Sequence, residues 1–143
     1  MGAVSLDDIR VTPLKRIITP GGDVMHAMKR SDAGYVAFGE AYFSWVEAGA
    51  VKAWKRHQRM TLNLVVPVGL VRFAFTLGPH SRRHEAELGE RQYARLTVPP
   101  GIWFGFQGVD QSSLVLNLAD IEHDPTEVER LPCDTEGFDW SPL

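Results

Sequence analysis

The chain has 143 residues, 44% hydrophobic and 23% charged, with a formal net charge of −3 at neutral pH. That composition suits one globular domain with a sizeable core and excludes a general nucleic-acid binder, which would be basic overall. Cys133 is the single cysteine, so an intrachain disulfide and a two-cysteine zinc knuckle are both ruled out.

No stretch approaches the roughly 20 apolar residues of a membrane-spanning helix. The opening MGAVSLDDIR carries charge where a signal peptide is apolar, so a cytoplasmic protein without a membrane partner is expected. Strand then follows strand. Residues 11–19 (VTPLKRIIT) are rich in β-branched side chains and close at a Pro-Gly-Gly-Asp turn. Residues 24–29 predict a short second strand. Residues 38–46 (FGEAYFSWV) alternate, with Glu40, Tyr42 and Ser44 on one face and Ala41, Phe43 and Trp45 on the other. After Gly49 comes a basic strand, then MTLNLVVPV at 60–68, whose Met60, Leu62, Leu64 and Val66 form one apolar face. Gly69 predicts a hairpin into LVRFAFTL at 70–77. Residues 78–91 read as a polar loop with a helical turn near 81–88. Strands are predicted at 93–98, 102–107 and 114–118. Asp124-Pro125-Thr126-Glu127 has a capping Asp, Pro at the first helical position and an acid in the first turn, which predicts a short helix to Arg130. The tail carries Phe138 and Trp140, expected to dock on the body. Turn signals every 8–12 residues with no helical period imply an all-β sandwich or barrel, antiparallel, forming a single domain over residues 1–143.

The basic strand is the richest stretch for chemistry. Lys52, Lys55, Arg56, His57 and Arg59 fall within eight positions. In extended chain Lys55, His57 and Arg59 share one face and Lys52, Trp54 and Arg56 the other, and a bend at Ala53 brings Lys52 round to Lys55. Such a patch suits a phosphate-bearing ligand. The plainer alternative is a cationic edge strand that faces water and discourages sheet pairing.

The order of segments resembles a cupin. More closely, LTVPPGIWFGFQGV at 96–109 resembles the "IPxGFAHGF" segment of the dTDP-4-dehydrorhamnose 3,5-epimerase family. SSLVLNLADIEHDPTEVER at 112–130 resembles that family's following strand and acidic helix, and GFDW at 137–140 its closing Asp-Trp tail. The resemblance implies a cupin jelly roll with a short C-terminal helix, a homodimer, a nucleotide-sugar substrate and no cofactor. It also implies work in bacterial-type deoxysugar and polysaccharide assembly, lipopolysaccharide included. The family's "GVLRGLH" matches Gly49 to Lys55, so its phosphate-holding Arg becomes Lys52 and its catalytic His becomes Lys55. Its catalytic Tyr falls on Asn117, its Ala-His on Trp103-Phe104, and the carboxylate that orients the His on Asp134.

Epimerisation beside a ketone needs a base whose pKa lies near the working pH and a stabiliser for the enolate. His57 is one candidate without perturbation. Lys55 is another, as base or enolate stabiliser, where neighbouring cations depress its pKa. Tyr42 is the candidate proton donor, against the alternative of a core aromatic with its hydroxyl at the rim. Lys52, Arg56 and Arg59 would hold a diphosphate. Glu40, Asn117 and Trp103 would contact the sugar or base, Trp103 having core packing as its alternative. Metal cupins place two histidines one residue apart, whereas here that spot reads Lys55-Arg56-His57, so no metal is expected. His80 and His84 are spaced for one helix face but lie in the polar loop. The expected activity is therefore epimerase or isomerase on a nucleotide-linked 4-keto-6-deoxy sugar, by proton abstraction next to the ketone. The rival is a non-catalytic sugar- or sugar-nucleotide-binding cupin, and a weaker one a structural dimer module.

Overall fold

The computed structural model describes residues 3–140. Twelve strands carry the fold: β1 (Arg10–Pro13), β2 (Arg16–Ile17), β3 (Val24–Met25), β4 (Glu40–Val46), β5 (Val51–His57), β6 (Leu62–Val68), β7 (Leu70–Thr76), β8 (Arg83–Gly89), β9 (Ala94–Val98), β10 (Trp103–Gly108), β11 (Ser113–Ala119) and β12 (Val128–Arg130). One sheet runs β1-β9-β6-β11-β4, the other β12-β5-β10-β7-β8, and β2 and β3 form a small separate pair. Every strand pairing is antiparallel.

The pairings nest. β7 pairs β8, β6 pairs β9, β5 pairs β10 and β4 pairs β11, and successive pairs fall in alternate sheets. That is a long hairpin rolled into a sandwich, the jelly roll of the cupins. The inward faces meet in a core of Leu62, Leu64, Val66, Phe73, Phe75 and Leu96, none more than 2% exposed. Burying each such side chain contributes about 1.5–3 kcal/mol.

Several elements depart from the sequence pattern. No ladder joins β6 to β7. At Gly69 the chain turns a corner from one sheet to the other. Gly69 has φ +88, and a Cβ there would collide with the Ser113 side chain, so both backbone and packing require glycine. The 78–91 segment, read as a loop, contains β8. Its charged residues hid it, because β8 is a sheet edge with one wet face, and all seven of its residues pair with β7. His84 therefore lies on a strand, its ring 6.0 Å from Phe75, not on a helix face with His80. Residues 11–19 split into β1 and β2, and the strand predicted at 24–29 shrinks to Val24–Met25.

The C-terminal helix is also overturned. Asp124 does cap: its Oδ1 accepts from the Thr126 amide and hydroxyl at 2.9 and 2.7 Å, and Glu127 N–H donates to the Asp124 carbonyl. The turn goes no further, because Val128, Glu129 and Arg130 pair instead with His57, Arg56 and Lys55 of β5. Tertiary ladder bonds outweigh a helix too short to sustain itself.

The tail docks as expected. Phe138 lies 5.6 Å from both Trp54 and Trp103, and Trp140 lies 5.3 Å from Trp54 with the Arg72 guanidinium over its indole, 5.3 Å from the ring centroid. On the opposite sheet the wholly buried Arg95 pins the 27–33 segment, donating to the carbonyls of Ala27 and Ala33 at 2.8 Å and to Asn63 Oδ1 at 3.2 Å.

Candidate active site

A cavity of about 610 Å3 opens between the two sheets. β4 and β11 supply Tyr42 and Asn117 to one wall. β5 supplies Lys52 and Lys55 to the other, and β12 adds Arg130. Leu64, Phe104 and Val115 line it with apolar surface.

Local irregularity in β5 brings the lysines together. Phe104 of β10 pairs with Lys55 while Phe106 pairs with Lys52, so three steps along β5 match two along β10. This bulge realises the bend expected at Ala53 and turns Lys52 to the side of Lys55. Gly105 makes room for it, since a Cβ there would collide with Ala53. Past the bulge, alternation resumes. Lys55 and His57 share the inward face, and Arg56 points away.

His57 is 6% exposed and stacks 6.2 Å from Phe104, one of the cavity-lining rings. Its Nδ1 lies 2.5 Å from Glu127 Oε2. Glu127 is 2% exposed, and its Oε1 accepts the amides of Arg59 and Met60 at 3.0 and 2.9 Å. Burial would push this carboxyl up, but the bonds from His57 and the two amides outweigh it and hold the carboxyl below its ordinary range. The carboxylate therefore fixes Nδ1 as a donor and leaves Nε2, which makes no hydrogen bond with any described residue, as the basic nitrogen. Burial depresses the imidazole pKa below 6.5, the Glu127 carboxylate opposes that shift, and Lys55 and Arg130 add to it. The orienting carboxylate is thus Glu127, not Asp134, which is exposed. Glu127 was missed because its backbone reads as the first turn of a helix.

Lys55 is half-buried. Burial, then Arg130, then Lys52 lower its pKa from the ordinary 10.5. Lys52 Nζ donates to the Trp45 carbonyl at 2.7 Å and to Ser44 Oγ at 3.4 Å. Tyr42 and Asn117 face each other across the β4–β11 ladder, and Asn117 Nδ2 donates to the Tyr42 hydroxyl at 2.8 Å. Burial, then the Glu40 carboxylate, raise the Tyr42 pKa above 10.0, so the phenol keeps its proton at neutral pH. Asn117 Oδ1 is buried and unpartnered.

Four residues expected at the ligand lie elsewhere. Arg56 spends its guanidinium on Glu129, at 2.8–3.0 Å, and stacks 4.7 Å above the Trp103 ring on the outer face. Trp103 itself is buried in the aromatic cluster beneath the tail. Arg59 lies beyond the end of β5, exposed and paired with Asp124 at 2.8 Å. Glu40 accepts the His123 amide at the end of β4, away from the cavity lining. Arg130 takes their place as a cation, and it was missed because a helical reading of 124–130 gave it no fixed direction. Among the described residues no cluster of three or more His, Cys, Asp or Glu is placed to hold a metal.

No family model matches the chain. The "Probable low-salt glycan biosynthesis epimerase Agl13" of Haloferax volcanii is 30% identical over 118 residues, which span 71% of this chain and 72% of that protein. The chain belongs to the dTDP-sugar epimerase and isomerase family of cupins. Among solved members, the dTDP sugar isomerase of Desulfovibrio desulfuricans G20 is 35% identical, covering 94% of this chain and 90% of its own, with a TM-score of 0.89. The dTDP-4-dehydrorhamnose 3,5-epimerase of Sulfolobus tokodaii shares the fold at 18% identity, covering 97% of this chain and 84% of its own, with a TM-score of 0.81. Against the epimerase motif quoted above, this member of the family carries Lys55 where a His is expected and Asn117 where a Tyr is expected, with His57–Glu127 and Tyr42 close by.

Proposed function

We propose that this protein is an epimerase or isomerase of a nucleotide-linked 4-keto-6-deoxy sugar, working by proton abstraction beside the ketone and needing no cofactor. The observation that carries this reading is the buried His57–Glu127 pair stacked behind Phe104, a lining ring of a cavity that Lys52, Lys55 and Arg130 also line. Lys52 and Arg130, both exposed at the mouth, hold the diphosphate. The sugar enters past them toward Phe104. His57 Nε2 takes the proton from the carbon next to the ketone, and Glu127 stabilises the imidazolium that forms. Tyr42, protonated and held by Asn117, supplies a proton on the opposite wall. The negative charge that develops on the ketone oxygen faces the Lys55 side of the cavity.

Solvent deuterium exchange tests this reading. In D2O the wild type should introduce deuterium beside the ketone of dTDP-4-keto-6-deoxyglucose, followed by nuclear magnetic resonance. A protein that binds dTDP but exchanges no keto sugar would instead be the sugar-nucleotide-binding cupin. The partner expected alongside the substrate is a second copy of the chain, because Phe43 and Trp45 leave 63% and 59% of their surfaces exposed on the outer face of β4. A cytoplasmic role in deoxysugar and polysaccharide assembly, such as lipopolysaccharide, goes with the reading, and no described helix is long and apolar enough to cross a membrane.

A further inference from the structure

The titratable groups of β5 and β12 are graded by depth. Lys52 and Arg130 are exposed, Lys55 is half-buried and His57 is buried. The two outer cations suffice to meet a diphosphate at the mouth. Lys55 is less exposed, lies opposite Phe104 in the β5–β10 ladder, and lines the same cavity as the apolar Leu64 and Val115, where the sugar ring would lie. Its amine makes no hydrogen bond or ion pair with any described residue. An ammonium used only to hold charge would gain from a carboxylate partner or from water. An amine in an apolar wall with two cations alongside meets the conditions under which lysines become carbonyl nucleophiles.

We propose that Lys55 forms a covalent Schiff base with the substrate ketone, so that the carbon–hydrogen bond is acidified by an iminium and not by the ketone alone. This rests on the keto-sugar reading above and deepens it. Uncharged Nζ adds its lone pair to the carbonyl carbon, the carbonyl oxygen takes one proton from that nitrogen and one from solvent and leaves as water, and the nitrogen, keeping its other proton, becomes a protonated iminium. The neighbouring carbon gives its proton to His57 Nε2, and the electron pair of that bond moves toward nitrogen to form an enamine. Return of a proton to carbon regenerates the iminium. Water then adds, the carbon–nitrogen bond breaks, and ketone and free amine are restored. No electrons are gained or lost overall, and the one water released is taken back from solvent. Burial, then Arg130 and Lys52, lower the Lys55 pKa against the opposing pull of the Glu127 carboxylate, and the net lowering increases the uncharged fraction the first step needs. A sugar that closes the cavity deepens the burial, the larger of these causes.

The test is reductive trapping. Wild-type protein is incubated with dTDP-4-keto-6-deoxyglucose and sodium cyanoborohydride, then examined by intact mass and peptide mapping. The expected product is one adduct, of the sugar nucleotide's mass less one oxygen atom, on the peptide that contains Lys55. Excess dTDP should suppress it. Lys55→Arg keeps the charge but cannot form an imine, so it should give no adduct and lose at least about 100-fold of deuterium exchange while dTDP still raises its melting temperature. The proposal is overturned if the wild type exchanges deuterium yet traps nothing, or traps equally on other lysines, or if Lys55→Arg exchanges at the wild-type rate. In those cases the keto-sugar reading survives. If the wild type neither exchanges any keto sugar nor binds dTDP, both fall together.

Discussion

A single carboxylate, 70 positions along the chain, supports the His57 imidazole against the lowering of its pKa by burial. His57→Asn should reduce deuterium exchange into the keto sugar by about 100-fold or more and leave the dTDP-induced rise in melting temperature intact. A loss of both would mean that His57 holds the fold or the ligand and not the proton. Glu127→Gln makes a sharper prediction, because Glu127 is the influence that raises the His57 pKa against burial. A neutral amide removes that support. The acid limb of the exchange-against-pH profile, set below 6.5 by the depressed imidazole, should move to still lower pH, and the plateau rate should fall by at least about tenfold through loss of orientation. A limb that stays put would detach Glu127 from the titration of His57.

β12 completes the candidate site by turning three consecutive side chains to alternate sides of the sheet beside β5. Arg130 faces the cavity beside Lys55, Glu129 ties Arg56 on the outside, and Val128 lies against His57. Charge reversal at Arg130 or Lys52 should therefore abolish the dTDP-induced shift in melting temperature. Arg56→Gln, on the other face, should preserve it. Equal effects from all three would return the basic strand to a diffuse electrostatic patch. The β9 strand holds the opposite side through Arg95, whose guanidinium is wholly buried among the carbonyls of Ala27 and Ala33 and the side chain of Asn63. Arg95→Ala removes the donor to the Ala27 and Ala33 carbonyls and the cation beside Asp32 and should cost about 3 kcal/mol or more in chemical denaturation, with no change in the acid limb of the exchange profile.

Across the whole molecule the buried His57–Glu127 pair gives acid sensitivity with one sign. The folded-state pKa of His57 lies below 6.5, so as pH falls past 6.5 the unfolded chain takes up a proton first and stability declines. The Glu127 pKa is also lowered, below 4.5, so its contribution is present above 4.5 and is lost as pH falls through the folded value. Melting temperature should therefore fall progressively below pH 6.5 in the wild type, and less steeply between 6.5 and 4.5 in His57→Asn. Self-association belongs to the same scale. Sedimentation at micromolar concentration should show a species larger than 16.0 kDa, and Phe43→Asp with Trp45→Asp should return it to the monomer. A wild type that sediments as a monomer would contradict the exposed β4 face as a contact surface.

Alternation by itself determined β4, β7, β9 and β11 within a residue or two, and with them an all-β sandwich, because a half-buried strand must alternate apolar and polar residues wherever it lies. The convergence of Lys52 and Lys55 was also legible, since a period-two strand brings them together only through a bend near Ala53. What the sequence could not decide depended on partners far along the chain. Residues 124–130 carry genuine helix-start chemistry, and only their ladder to β5 makes them extended and turns Arg130 inward. Charged β8 is a strand because β7 pairs with it along its whole length. Arg56 looks like a ligand for phosphate until Glu129 arrives on the adjacent strand. Burial and salt-bridge partners are properties of the packed sheets, so local pattern could place the side chains along β5 but could not say which of them still had a free charge to offer.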